Sequence, residues 1–258
     1  VYRYKSELVR EQSAAVGEEA RGNWLQRSWR PIVMLAFALV ILSGMFMEST
    51  LLSDSSRLWD LLEIGLGGYV IGRSGDNVKY LQCSKCRVKL SRVDTIVLHS
   101  TVGAGAISSA LYLGRPDTSV SAHVVVGRDA EVFQLLPFDV KAWHAGKSFH
   151  AGRVNLNDCS IGIELDNAGE LQRVGDRYYS SFGREYSPDQ VYTTEEEGRA
   201  RYWHSFTEGQ FGITEEICSL LKECYGIKYL VRHSDITPRK TDPGPAFPFD
   251  ELRKRLKF

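Results

Sequence analysis

The chain has 258 residues, 43% of them hydrophobic and 25% charged, enough for one large or two small domains. Its 32 basic and 32 acidic residues cancel, and a net charge near zero argues against nucleic acid as the main partner. Five cysteines are too few and too irregularly spaced for a disulfide scaffold.

Residues 1–22 are polar and charged. Val9, Ala14, Ala15 and Val16 are too sparse for a core, which predicts a solvated arm. From Pro31 to Met47 the chain runs without a charge, at the lower limit of length for crossing a bilayer, with Trp24 and Trp29 where an interfacial belt would lie. The run lacks the polar face of a buried core helix, and no small-x-small cleavage site follows Met47 as after a signal peptide. A second apolar stretch spans Leu58 to Gly72. Its Asp60 and Glu63 fall in the first turns, from which they reach the interface. Gly65, Gly68 and Gly72 recur at spacings of three and four, which lets helices approach closely in a membrane. Contact with the lipid bilayer is therefore expected over 31–72, with self-association of copies there.

Arg21, Arg27 and Arg30 precede the first stretch, Glu48 and Asp54 follow it, and Arg73, Lys79, Lys85, Arg87, Lys89 and Arg92 follow the second. The positive-inside rule places both ends of such a helical membrane hairpin on the cytoplasmic side of the inner membrane, where the C-terminal domain would start. A single span would put that domain on the opposite side. Residues 23–75, above all Trp24-Leu-Gln-Arg-Ser-Trp-Arg-Pro31 and Ile64-Gly-Leu-Gly-Gly-Tyr-Val-Ile-Gly-Arg73, resemble the small three-transmembrane phage holin family.

A basic linker is expected at 76–93. Its Cys83 and Cys86 form a lone Cys-x-x-Cys, open to reading as two plain thiols, a redox pair or half of an intermolecular metal clip. From 94 to 258 the pattern becomes that of a folded domain. Asp94–His99 reads as a strand, Ala106–Leu113 as a short helix, and Ala122–Val126 with Glu131–Leu135 as a hairpin around Gly127-Arg-Asp129. Ser160–Leu165 reads as a buried strand. Between Asp166 and Phe206 lies a polar insert rich in aromatic rings, which would serve either as a flap stacking on a substrate or as a loop packed on the domain. Thr207 with Gln210 forms a capping-box pattern, Ile213, Ile217, Leu220, Leu221 and Cys224 share a helical face, and Gly226 ends it. Tyr229–Arg232 is a last strand. Strands interleaved with helices predict an α/β domain with a mixed central sheet flanked by helices.

The chemistry concentrates at two places. His99 ends the apolar run Thr95-Ile-Val-Leu98, and His233 and Asp242 stand nine residues apart on a loop stiffened by proline and glycine, with Lys240 two residues before the aspartate. Two histidines and an aspartate so placed predict a three-ligand zinc site with an open fourth position, which is a catalytic rather than a structural arrangement. Such a site needs a carboxylate that is not a ligand to move the proton of the attacking water, and Glu164 on its buried strand is the candidate. Lys240 is placed to stabilise an oxyanion.

Four segments, Ile96-Val-Leu-His-Ser-Thr101, Ser121-Ala-His-Val-Val-Val126, Ala142-Trp-His-Ala-Gly146 with Cys159-Ser-Ile-Gly-Ile-Glu-Leu165, and His233 to Phe247, stand in the order found in the type 2 family of zinc-dependent N-acetylmuramoyl-L-alanine amidases. This resemblance covers residues 94–258 and implies that Zn2+ is held by His99, His233 and Asp242, with Glu164 and Lys240 catalytic. It also implies that His144 and Asn167 line a substrate groove. His123 is expected to pack within its strand. Some phage relatives carry a tyrosine before the histidine of the second segment, where this chain has Ala122. The substrate implied is peptidoglycan or a muropeptide, cut between N-acetylmuramic acid and L-alanine, and the holin-like segment points to phage or prophage lysis. Two other readings stay open: cytoplasmic recycling of anhydro-muropeptides, and a non-catalytic peptidoglycan-binding or membrane-lesion protein.

Overall fold

The computed structural model describes residues 78–81, 83 and 86–258. The arm, the two apolar stretches and the holin-like segment expected over 1–75 lie outside the described residues. Among the described residues, no helix is long and apolar enough to cross a membrane.

A six-stranded mixed sheet organises the domain. β1 (Val78–Tyr80) pairs parallel with β4 (Val132–Gln134), and β4 pairs antiparallel with β3 (Val124–Val126). From there β3, β7 (Ser160–Leu165), β2 (Thr95–Ser100) and β13 (Tyr229–Arg232) run parallel in that order. The four central strands are short β-branched or apolar runs, the composition of strands covered on both faces. Side chains alternate between the faces. Ile96, Leu98, Ile161, Ile163, Leu165 and Leu230 join the main core, beneath α2 (Glu208–Tyr225) and the C-terminal α4 (Phe249–Leu256). Val97 and Val231 point the other way, onto Ala145, Leu156 and Ile236. A third cluster, with Val125, Phe133 and Leu135, sits under α1 (Ala106–Gly114).

Helix α2 begins and ends as its sequence predicts. The Thr207 hydroxyl accepts from Gln210 N at 3.1 Å, the Gln210 side chain accepts from Thr207 N at 3.2 Å, and Gly226 closes the helix at φ 62°. Its buried face differs in detail. Cys218 and Thr214 are buried while Cys224 is exposed, because the buried stripe drifts round the helix.

Two regions depart from expectation. Part of the linker expected at 76–93 belongs to the domain: β1 extends the sheet, Cys83 N donates to Leu135 O (3.0 Å), Leu90 N donates to Asp139 O (2.6 Å), and the Cys83 side chain is buried. The aromatic insert is an antiparallel sheet of β8 (Glu170–Val174), β9 (Arg177–Tyr179), β10 (Glu185–Tyr186), β11 (Val191–Glu196) and β12 (Arg199–His204) in the order β10-β9-β8-β12-β11. Tyr178, Tyr186 and Tyr202 pack with Leu171 and Ala168 as its own small core, so three of these rings build the insert.

Candidate active site

β2 and β7 are aligned so that His99 lies opposite Glu164. β13 ends one residue before His233, where the chain turns into the one-turn helix α3 (His233–Ile236), capped by Asp235, whose carboxylate accepts from Arg232 N at 2.8 Å. Ser234 N then donates to Asp242 O at 3.1 Å, folding the loop back so that Asp242 returns beside the histidine that precedes it by nine residues.

Three donor atoms converge there. His99 Nδ1 and His233 Nδ1 are 3.0 Å apart, His233 Nδ1 and Asp242 Oδ2 3.0 Å, and His99 Nδ1 and Asp242 Oδ2 3.3 Å. Among the described residues, these three form the group of His, Cys, Asp or Glu side chains able to hold a metal ion. Tetrahedral zinc with bonds near 2.0–2.1 Å would separate its ligand atoms by about 3.3 Å. The triangle is that size to within a few tenths of an ångström. Two ring nitrogens and an ionised carboxylate facing one point share too few protons to satisfy one another, so the donor set fits a cation.

The electrostatics agree. Burial alone would push the Asp242 carboxyl up, but the hydrogen bond to His233 and the nearness of the His99 imidazole outweigh it and hold the group well below the usual carboxylate range. Burial holds the His99 imidazole down to about 4 against the pull of Asp242, keeping it neutral and able to ligate. Glu164 behaves oppositely: burial, reinforced by the Asp242 charge and eased by Lys240, pushes it up to about 8. Its Oε2 has no hydrogen-bond partner among the described residues, an orphan acceptor beside the donor triangle.

A cavity of about 430 Å³ opens over this group, lined by His99, Glu164, His233, Lys240 and Asp242. Val102, Tyr112 and Trp143 give it an exposed apolar rim. A second hollow of about 520 Å³, walled by the insert sheet and the 239–243 loop, shares Ser100, Val102, Lys240 and Asp242 with it.

The remaining expected residues fall in different places. His144 lines the cavity, but its ring nitrogens face His99 Nε2 (2.9 Å) and Ser160 Oγ (3.2 Å). Asn167 does not line it. Its amide nitrogen donates to His204 O (3.0 Å) and its amide oxygen accepts from Gly169 N (2.8 Å), tying the insert to the sheet. His123, buried immediately before β3, accepts from Gly162 N at Nδ1 (3.0 Å) and faces Val140 O at Nε2 (2.8 Å), so its ring is tied to β7 and to Val140 rather than within a strand of its own. Ser160 and Gly162 escaped the sequence reading. The Ser-x-Gly pair in an otherwise apolar strand was the available signal, since small residues there leave room for a ring opposite.

A buried His-His-Asp donor set beside an unpartnered carboxylate, on one face of an α/β sheet, is an arrangement that could hold a metal ion and move a proton next to it. The chain belongs to the N-acetylmuramoyl-L-alanine amidase family, whose model matches residues 89–245. It is 35% identical over 137 residues to the 1,6-anhydro-N-acetylmuramyl-L-alanine amidase of Escherichia coli (strain K12), covering 52% of this chain and 57% of that protein. It is 32% identical over 174 residues to an N-acetylmuramoyl-L-alanine amidase of the same organism, covering 64% of this chain and 53% of the relative. The chain thus spans little more than half the length of these relatives. A solved E. coli amidase in complex with anhydro-N-acetylmuramic acid-L-Ala-D-gamma-Glu-L-Lys aligns with 66% of the chain and 59% of its own, at 30% identity and a TM-score of 0.49.

Proposed function

We propose that the chain hydrolyses the amide between N-acetylmuramic acid and L-alanine in peptidoglycan or its fragments, with zinc held by His99, His233 and Asp242. The observation that carries this is the triangle of donor atoms within 3.3 Å of one another beside the orphaned Glu164 Oε2. Zinc bound there would acidify a water and polarise the scissile carbonyl. Glu164, whose carboxyl burial pushes up to about 8, would be favoured in its ionised form by a bound dication, and would then take the water's proton at its unpartnered oxygen and return it to the departing α-amino nitrogen of alanine. Lys240, on the cavity wall, places a cation where the carbonyl oxygen gains charge. His233 and Asp242 are locked together by the Ser234–Asp242 backbone bond, which holds the donor set ready before substrate arrives.

The setting has two readings. The apolar stretches within 31–72 and the holin-like 23–75 favour lysis of the wall from the inner membrane, with the enzyme starting on the cytoplasmic side. The likeness to a 1,6-anhydro-N-acetylmuramyl-L-alanine amidase favours recycling of soluble anhydro-muropeptides. A purely binding role is disfavoured by a complete donor set. The deciding experiment offers the full chain intact sacculi and soluble anhydro-muropeptide, with chelator and with zinc restored, and scores freed alanine amino groups. Release from sacculi supports lysis, and release from the soluble fragment alone supports recycling. No release from the zinc-loaded, folded chain rejects the enzyme reading.

A further inference from the structure

A neutral imidazole carries one proton on two nitrogens, so a hydrogen-bonded row of such rings has every proton placed once one end is fixed. Ser160 fixes the end here. Its Oγ lies 2.5 Å from the carbonyl oxygen of Leu156, which can only accept, so the hydroxyl proton is committed to it. Toward His144 Nε2, 3.2 Å away, Ser160 then offers only a lone pair, and Nε2 must donate. His144 Nδ1 is left without a proton and accepts from His99 Nε2 across 2.9 Å. The single proton of His99 is thereby on Nε2, and a lone pair remains on Nδ1, the atom facing His233 Nδ1 and Asp242 Oδ2.

The row is held by packing as well. Ser160 is fully buried, and His99 and His144 are nearly so, which disfavours charging any ring. A Cβ on residue 162 would come 2.4 Å from His144 Cγ, so Gly162 is the space the ring occupies. Asn157 Oδ1 accepts from His144 N (3.0 Å) and Ala145 N (2.8 Å), fixing the backbone that carries it. His123, the other ring nearby, has both nitrogens engaged elsewhere and does not compete.

We propose that Ser160 and His144 are positioning residues that hold His99 in the Nε2-protonated tautomer and so preset its Nδ1 as a metal donor. The Asp242 carboxylate, 3.3 Å from that atom, would otherwise draw the proton onto Nδ1, and a ring protonated there cannot ligate through it. This inference rests on the zinc reading of the site.

The test uses the full chain. Competition with a chromogenic chelator should show zinc affinity falling about 10–100-fold in His144→Phe. His144→Asn, whose amide oxygen can accept from His99 Nε2, should recover most of it. Gly162→Ala, which displaces the ring, should resemble His144→Phe, and Ser160→Ala should show a smaller loss. Nitrogen NMR of histidine-labelled, metal-free protein should show His99 and His144 both protonated at Nε2. A proton on Nδ1 of His144, or a folded His144→Phe protein with undiminished zinc affinity, overturns the proposal. If His144→Phe does not fold, the tautomers of the unsubstituted chain decide. If the unsubstituted chain binds no zinc, the metal reading fails by itself, because the tautomers are read without metal.

Discussion

His99 and Glu164 are register partners across the parallel pair β2 and β7. Their side chains therefore leave the sheet on the same face, from backbones about 4.8 Å apart. One reaches the donor triangle and the other stops beside it with an oxygen unclaimed. On the proposed function, neighbouring positions of one sheet would divide holding the metal from moving the proton. Glu164→Gln should keep zinc affinity while lowering kcat by about 10²–10⁴-fold. Alanine release and chelator competition on the same preparation check both halves. Retained turnover would remove Glu164 from the reaction.

Asp242 supplies the only carboxylate of the donor set. Asp242→Ala should abolish tight zinc binding and alanine release together. In the unsubstituted chain, zinc at about 100 times its dissociation constant should stabilise the fold by about 2.7 kcal/mol. Thermal melts with and without chelator read that difference, and in Asp242→Ala the two melts should coincide.

Lys240 lines the cavity and is not a donor. Lys240→Ala should leave zinc affinity intact and reduce kcat by about 10²–10³-fold. A change confined to KM would assign Lys240 to substrate binding instead.

Burial holds the imidazoles of His99 and His123 down to about 4 and that of His204 to about 3, against an ordinary value of 6.5. Between those values the unfolded chain binds protons that the folded chain refuses. The contribution of these imidazoles to the stability of the metal-free protein should be fully present above about pH 6.5 and fall as the pH drops toward 4. Glu164 has the opposite sign: raised from 4.5 to about 8, it contributes stability at low pH that is lost as the pH rises through 8. Midpoints of thermal unfolding measured in chelator should trace both limbs, and Glu164→Gln should flatten the alkaline one. An unchanged midpoint from pH 6.5 to 4 would contradict the assignment.

Ile163, fully buried, points into the core on the face opposite Glu164. Ile163→Ala should cost about 2–5 kcal/mol in urea unfolding. Turnover per folded molecule should be unchanged, since the cavity lining is untouched. A proportionate loss of turnover would show that the two faces of β7 are not independent.

Much of this domain was legible before any coordinates. Ser160–Leu165 emerged as a strand over its observed span because Ile161, Ile163 and Leu165 recur at alternate positions in a short, largely apolar segment. Helix α2 emerged from reciprocal capping by Thr207 and Gln210. Of the three donors, His99 and His233 stand where strands end, and Asp242 follows on the proline- and glycine-stiffened loop after His233. The insert was not legible, for a physical reason. Its strands are half-solvated and alternate weakly, as in Val191–Glu196, where no side chain is fully buried. The one strong cue was the two-residue link Glu197-Gly198, whose φ angles of 52° and 75° make a tight hairpin turn. The contact of His144 with Ser160 was hidden for another reason: no periodicity records which ring will fill the space left by a glycine.

The alternation along β2 carries a consequence for how the chain finds its fold. A slip of one residue against β7 would turn Leu98 toward the cavity and drive His99 among the isoleucines of the main core. The slipped sheet could keep its ladder of backbone bonds, yet it would bury an imidazole in an apolar core and present no complete donor triangle. Stability and the donor triangle would be lost in the same event, so on the proposed zinc reading the triad would report on strand alignment, and a folding chain able to seize the ion would have paired its central strands correctly.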